Sequence, residues 1–176
     1  MAPTRTVLSA ALALLFATMV AAPAQAAEPR GEVVGSAALP SGDDYPYRDQ
    51  PDVVDRWAFY SGQDTSFVAW RMEQLTGYFH NSMSRNGIVG HWGNAPEWAA
   101  NGRKLGYDVD RVPKAGAIAQ WDPGKLAPPG HVAYIAAVAG DQVTVEEYNW
   151  STPLRYSSRV VPSSQISWVI HFAPGT

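Results

Sequence analysis

The chain has 176 residues, 46% of them hydrophobic, enough for one domain with a proper core plus an appendage. Its formal net charge is -3 and no basic cluster stands out, which argues against a nucleic-acid partner. It contains no cysteine, which excludes disulfides, thiolate metal sites and thiol catalysis together.

Residues 1–26 read as a secretory signal peptide. Arg5 supplies the positive start, Val7 to Ala22 the apolar stretch, and Ala24-Gln25-Ala26 a small-x-small cleavage site. The apolar run falls short of the ~20 residues a membrane span needs and ends at Pro23, so export with cleavage is expected and no membrane anchor remains. Residues 27–42 are rich in small residues with scattered Pro and Gly, and read as a flexible leader. The run from Asp43 to Asp49 gathers carboxylates and aromatics. Its spacing matches no EF-hand calcium loop, and it is expected to be a solvated turn.

The organising stretch is Ser61 to Arg71. Gly62 marks a tight turn, and Phe67, Val68, Met72 and Leu75 recur at helical spacing up to a stop near Gly77. Asp64 stands at the start of that helix, where unpaired N–H groups and the dipole favour negative charge. Tyr78 to Gly93 is polar and irregular, with His80 and His91 expected at the surface. A second helix is expected from Asn94, with Glu97 placed for a capping box and Gly106 as its stop.

Strands follow. Ala115 to Trp121 is a short apolar run broken by Asp122-Pro123-Gly124, and Pro128-Pro129-Gly130 delivers a strand from His131 to Val138. Gly140-Asp141 turns into the partner strand Val143 to Asn149, with further strands near 156–161 and 168–172. Helices first and an antiparallel meander after predict the α+β class. His131 opens its strand at the rim of the sheet. Period-two alternation puts Glu147 and Asn149 on one face of the returning strand, both aimed at the His131 ring. That arrangement either orients a catalytic base or simply satisfies a histidine at a strand end.

Several segments together carry a family resemblance: Gly62-Gln63-Asp64-Thr65-Ser66-Phe67-Val68-Ala69-Trp70, Gly93-Asn94-Ala95, Pro113 to Ala119, Gly130-His131-Val132-Ala133 and Val145-Glu146-Glu147-Tyr148-Asn149. With these the chain resembles the CHAP family, the cysteine- and histidine-dependent amidohydrolases and peptidases of bacterial cell walls and phage lysins, over roughly Tyr45 to Phe172, within an expected domain of residues 43–174. The resemblance implies a papain-like α+β fold, helices packed on an antiparallel sheet, and cleavage of amide bonds in peptidoglycan stem peptides or cross-bridges. It assigns His131 as the base, Glu147 and Asn149 as its orienting groups, and Gln63 to the placing of the oxyanion. It implies no cofactor.

Asp64 falls where the family keeps its nucleophilic cysteine, a departure from the pattern. A carboxylate is a poorer nucleophile towards an amide, and its attack would pass through a mixed anhydride. As a general base on water it is weakened by the helix N-terminus and a nearby imidazolium, which both favour the charged form. Neighbouring hydroxyls do not replace it, because adjacent helical residues point about 100° apart. A zinc site from His131, Asp64 and Glu147 has suitable ligand types but no recognised spacing, and no metal is expected. The expected protein is therefore a secreted, wall-associated CHAP-type domain lacking thiol catalysis. It would bind wall peptide or a protein partner in a groove lined by Trp70, Trp121 and Trp150. The alternatives are an active wall amidase or endopeptidase in which Asp64 or a metal activates water, and a decoy or inhibitor of wall hydrolases.

Overall fold

Two periodicities in the chain become two layers, a helix-bearing layer packed on a sheet. The computed structural model describes residues 42–172. The expected signal peptide and residues 27–41 of the expected leader lie outside the described residues.

Helix α1 spans Asp64–Thr76. Gly62 precedes it at φ +80°, and a Cβ there would sit 3.2 Å from the Leu154 side chain, so only glycine suits both the turn and the space. Gly77, at φ +82°, ends the helix by donating its N–H to the Glu73 carbonyl at 2.8 Å. Every residue from Thr65 to Met72 is buried, so α1 is a central helix rather than a half-exposed one. Burying Phe67 and Met72 alone contributes about 1.5–3 kcal/mol each. The second helical segment begins as a 3-10 turn, Ala95–Glu97, closed by an Asn94/Glu97 capping box, and continues as α2, Trp98–Lys104. Gly102 lets α2 lie close on the sheet, where a Cβ would meet the Ile170 side chain at 3.2 Å.

The strands are β1 (Asp108–Asp110), β2 (Ile118–Trp121), β3 (His131–Ala139), β4 (Gln142–Tyr148), β5 (Tyr156–Pro162) and β6 (Trp168–His171). They form one antiparallel sheet in the order β1-β6-β2-β3-β4-β5. The expected meander holds from β2 to β5. The last strand then returns to pair with β2, and the short β1, which carries no apolar run, adds at its edge. The helix face of the sheet buries Ile118, Val132, Tyr134, Tyr148 and Ile170 with α1 and α2. The other face buries Ala119, Trp121, Ala133, Ile135, Val143 and Val145. This α+β architecture is papain-like, as expected.

One expectation about the N-terminal segment is corrected. The run from Asp43 to Asp49 is not a solvated turn throughout, because Tyr45 is fully buried. Its ring packs against Trp57, Phe67, Trp70 and Tyr148, and its hydroxyl pairs with Ser66. The aromatic face outweighs the local polar composition.

Candidate functional site

The start of α1 and the start of β3 meet at one carboxylate. Asp64 Oδ2 accepts the Val132 N–H at 2.9 Å and lies 3.0 Å from His131 Nδ1. Its Oδ1 accepts the Thr65 N–H at 2.8 Å, so both oxygens are engaged. The approach of β3 depends on Gly130, at φ +82°, where a Cβ would stand 2.9 Å from the Pro96 ring.

The other ring nitrogen of His131 meets the neighbouring strand. Nε2 lies 3.0 Å from Glu147 Oε2, and Glu147 is fully buried. Arg159 of β5 closes the chain of charges, donating from Nε to Oε1 at 2.6 Å and from its second amino group to Oε2 at 3.2 Å. The Ser157 hydroxyl is 3.3 Å from the same Oε1. Two carboxylates, one guanidinium and one imidazolium thus form a balanced line. Burial works against a charged His131 ring. The hydrogen bonds and charges of Asp64 and Glu147 outweigh that burial and push its pKa up from 6.5 to about 9. At neutral pH the ring is an imidazolium donating to both sides.

The line opens on a cleft of about 1000 Å³. Tyr60, Gln63, His91, Glu97, Leu126 and Pro128 are among its lining residues, and Trp150 lines it beside His131. Tyr60 and Leu126 are more than half exposed. The cleft lining contains neither Lys nor Arg.

The expected site residues divide here. Asp64, His131 and Glu147 come together, Glu147 as the strand alternation suggested and Asp64 as the family resemblance implied. Asn149 does not face the His131 ring. The strand ends at Tyr148, and Asn149 turns away at φ +59°. Its side-chain Nδ2 donates to Gln63 Oε1 at 2.7 Å, and its side-chain Oδ1 accepts the Leu154 N–H at 3.0 Å. Alternation carries across a strand only while the residue remains in it. Gln63 lies on the cleft wall, held by Asn149.

Of the three tryptophans expected to line a groove, Trp150 does so. Its ring centroid is 4.8 Å from that of His131, and the Arg159 guanidinium lies 4.0 Å over it. Trp121 is instead buried beneath His131, with ring centroids 5.7 Å apart. Trp70 packs in the helix-face core with Tyr45 and Phe67 and edges a second, smaller hollow with Tyr47 and Arg56, so it does not line the cleft at His131. The zinc arrangement also fails on geometry. Asp64 and Glu147 occupy opposite nitrogens of one ring, so the three side chains do not converge on a single point. Arg159 and Tyr60 were not singled out from the sequence. The alternation of β5 could have paired Arg159 with Glu147, but only with the strand register in hand.

Residues 54–149 match the family model of the CHAP domain. Over 98 residues the chain is 36% identical to the probable autolysin SsaALP of Staphylococcus aureus, covering 53% of this chain and 36% of that protein. It is 42% identical over 76 residues to the staphylococcal secretory antigen ssaA2 of the same species, covering 42% of this chain and 27% of that one. The chain therefore spans about a third of the length of these curated relatives. Among solved structures, an N-acetylmuramoyl-L-alanine amidase from Staphylococcus aureus shares the fold, with a TM-score of 0.52 and 24% identity over 72% of this chain and 36% of that one. On the extent of the family match, this chain belongs to the CHAP domain family and is related to peptidoglycan hydrolases and secretory antigens.

Proposed function

We propose that this protein is an exported CHAP-type domain that holds peptidoglycan peptide in its cleft without cutting amides by thiol chemistry. The observation that carries the reading is the engagement of Asp64. One carboxylate oxygen takes a backbone N–H of its own helix, and the other takes the Val132 N–H and faces the His131 ring. Attack on an amide carbonyl would have to break this ion pair, and its product would be a mixed anhydride. Acceptance of a proton from water would have to break it as well, beside an imidazolium that is itself no base at neutral pH.

Export is supported by the pattern of residues 1–26 and by the description of a relative as a secretory antigen. Peptide binding is supported by the family and by the cleft, whose lining mixes apolar side chains (Leu126, Pro128, Trp150) with side-chain amides (Gln63, Asn81, Asn149) that can hydrogen-bond a peptide backbone.

The test has two readouts. The mature protein is mixed with insoluble purified peptidoglycan and sedimented, and the supernatant is analysed for released peptides beside that of Asp64→Cys. The expected result is co-sedimentation with no release, while Asp64→Cys releases peptides. Release by the unmodified protein would overturn the claim of inactivity. Failure to sediment would overturn the claim of binding.

A further inference from the structure

Eight arginines lie in the described residues, and six donate a hydrogen bond to a described residue. Arg48, Arg56, Arg71 and Arg159 reach carboxylates, and Arg85 and Arg155 reach backbone carbonyls. The guanidinium groups of Arg103 and Arg111 donate none to a described residue, and both residues are exposed. Both lie on one ring. The Arg103 guanidinium is 4.2 Å from the centroid of Trp168, and that of Arg111 is 5.1 Å from it.

Three separate elements build this cluster. Arg103 comes from the last turn of α2, Arg111 follows β1, and Trp168 opens β6. Asp110, the residue before Arg111, pairs with Val169, the residue after Trp168, so the end of the ladder brings Arg111 near that ring. A cation in the last turn of a helix suits the helix dipole, and that accounts for Arg103 and its exposed neighbour Lys104. It does not account for a second guanidinium brought to the same ring from another strand.

Two carboxylates near the cluster are already hydrogen-bonded, one of them to the cluster's own ring. Asp122 accepts the Trp168 indole N–H at 3.1 Å and the Gln120 amide at 2.9 Å. Asp110 is 2.9 Å from His171 Nε2 and accepts the Val112 N–H at 2.8 Å. Stacking uses the face of a guanidinium and leaves its in-plane N–H donors to bind an oxyanion. The ring thus limits the motion of two donor forks without saturating them.

We propose that Arg103, Arg111 and Trp168 form a binding site for phosphoryl groups, of the pyrophosphate or phosphodiester class. A phosphoryl group offers more acceptor oxygens and charge than a carboxylate, and a ligand with successive phosphoryl groups can engage both forks. The site is separate from the cleft. Trp168 pairs with Gln120, and the next residue of β2, Trp121, pairs with His131. β6 and β3 therefore stand two strand spacings apart, about 10 Å, at the same end of the sheet. One wall polymer bearing both peptide and phosphate could touch both sites.

The experiment is a titration of the full chain, at low salt, with pyrophosphate and separately with the dicarboxylate malonate. It is followed by NMR at the Arg Nε–H and Trp indole N–H signals. Pyrophosphate is expected to give saturable shifts at Arg103, Arg111 and Trp168, with malonate at least tenfold weaker. The double variant Arg103→Gln/Arg111→Gln is expected to lose at least tenfold in pyrophosphate affinity. Arg111→Lys, which keeps the charge but not the fork, should lose several-fold and carries the same test should the double variant not fold. The proposal is overturned by an absence of saturable shifts, by equal binding of malonate, by unchanged affinity in the variants, or by shifts centred on Trp150 in the cleft. None of these outcomes bears on sedimentation with peptidoglycan stripped of phosphate-bearing polymer, which reads the cleft alone.

Discussion

Glu146 and Glu147 are neighbours on β4, both buried, and each is paired with a cation on the opposite face of the sheet from the other. Glu146 points to the helix side. Its Oε2 lies 2.8 Å from an amino group of Arg71, and its Oε1 accepts the Gly42 N–H at 3.2 Å. Arg71 is itself fully buried, stacked 4.3 Å over Trp70, and reaches the Gly42 carbonyl and Asp44. Glu147 points the other way, to His131 and Arg159. The first group ties the entering chain to α1 and the sheet with a cation that never titrates. The second contains a histidine, which titrates, and ends at a cleft. Burial of charge is common to both regions; a titratable partner facing an opening separates the candidate site from the clamp.

The difference can be broken from either side. The largest effect is expected at the clamp. Arg71→Ala leaves Glu146 buried without its cation and should lower stability by about 3–5 kcal/mol, read as a shift of the urea unfolding midpoint. A variant that unfolds at the wild-type midpoint would show that the clamp is inert.

The pH response belongs to the other group. The folded pKa of His131, about 9, lies above its ordinary 6.5. The stabilisation it contributes is therefore fully present below about pH 6.5 and is lost as pH rises through about 9. The loss on going from pH 6 to pH 10 should approach about 3 kcal/mol. Asp64→Asn, which removes one of the two carboxylates, should shrink it. Equal pH profiles for the two proteins would refute the assignment.

A smaller effect is expected from Glu147→Gln, which keeps a hydrogen-bonding group but removes the charge. It should cost about 2 kcal/mol and move the His131 titration, followed by NMR of its ring protons, towards lower pH. The smallest is expected from Asn149→Ala. Its amide holds Gln63 rather than the histidine, so stability should fall by about 1 kcal/mol while the His131 titration stays in place. A displaced titration in this variant would restore Asn149 to the role the sequence had suggested.

Much of the site was legible because its members lie in local patterns. Gly62 and the apolar spacing of Phe67, Val68 and Met72 place Asp64 at a helix start. The Pro-Pro-Gly loop before His131 marks a strand start, and period two along β4 carries Glu147 to the face of His131. Each inference spans a few residues and one dihedral regularity. Asn149 was misread where the regularity stops, one residue past the end of β4. Trp70 and Trp121 were misread because an aromatic side chain has the same letter in a core as on a groove wall. Arg159 stayed hidden because its partner is twelve residues away across a strand register that no local pattern reveals.

By itself the sequence determined the α+β class, the two helix starts, the β3–β4 hairpin and the absence of any thiol. These follow from turn residues, hydrophobic period and composition, which act over short stretches of chain. Only the tertiary structure decided that Asp64 is bound at both oxygens, that His131 stands charged between two carboxylates, and that Arg103 and Arg111 share one indole. Those facts depend on distances between residues remote in the chain. Such distances are set by strand order and packing, which no single stretch of sequence contains.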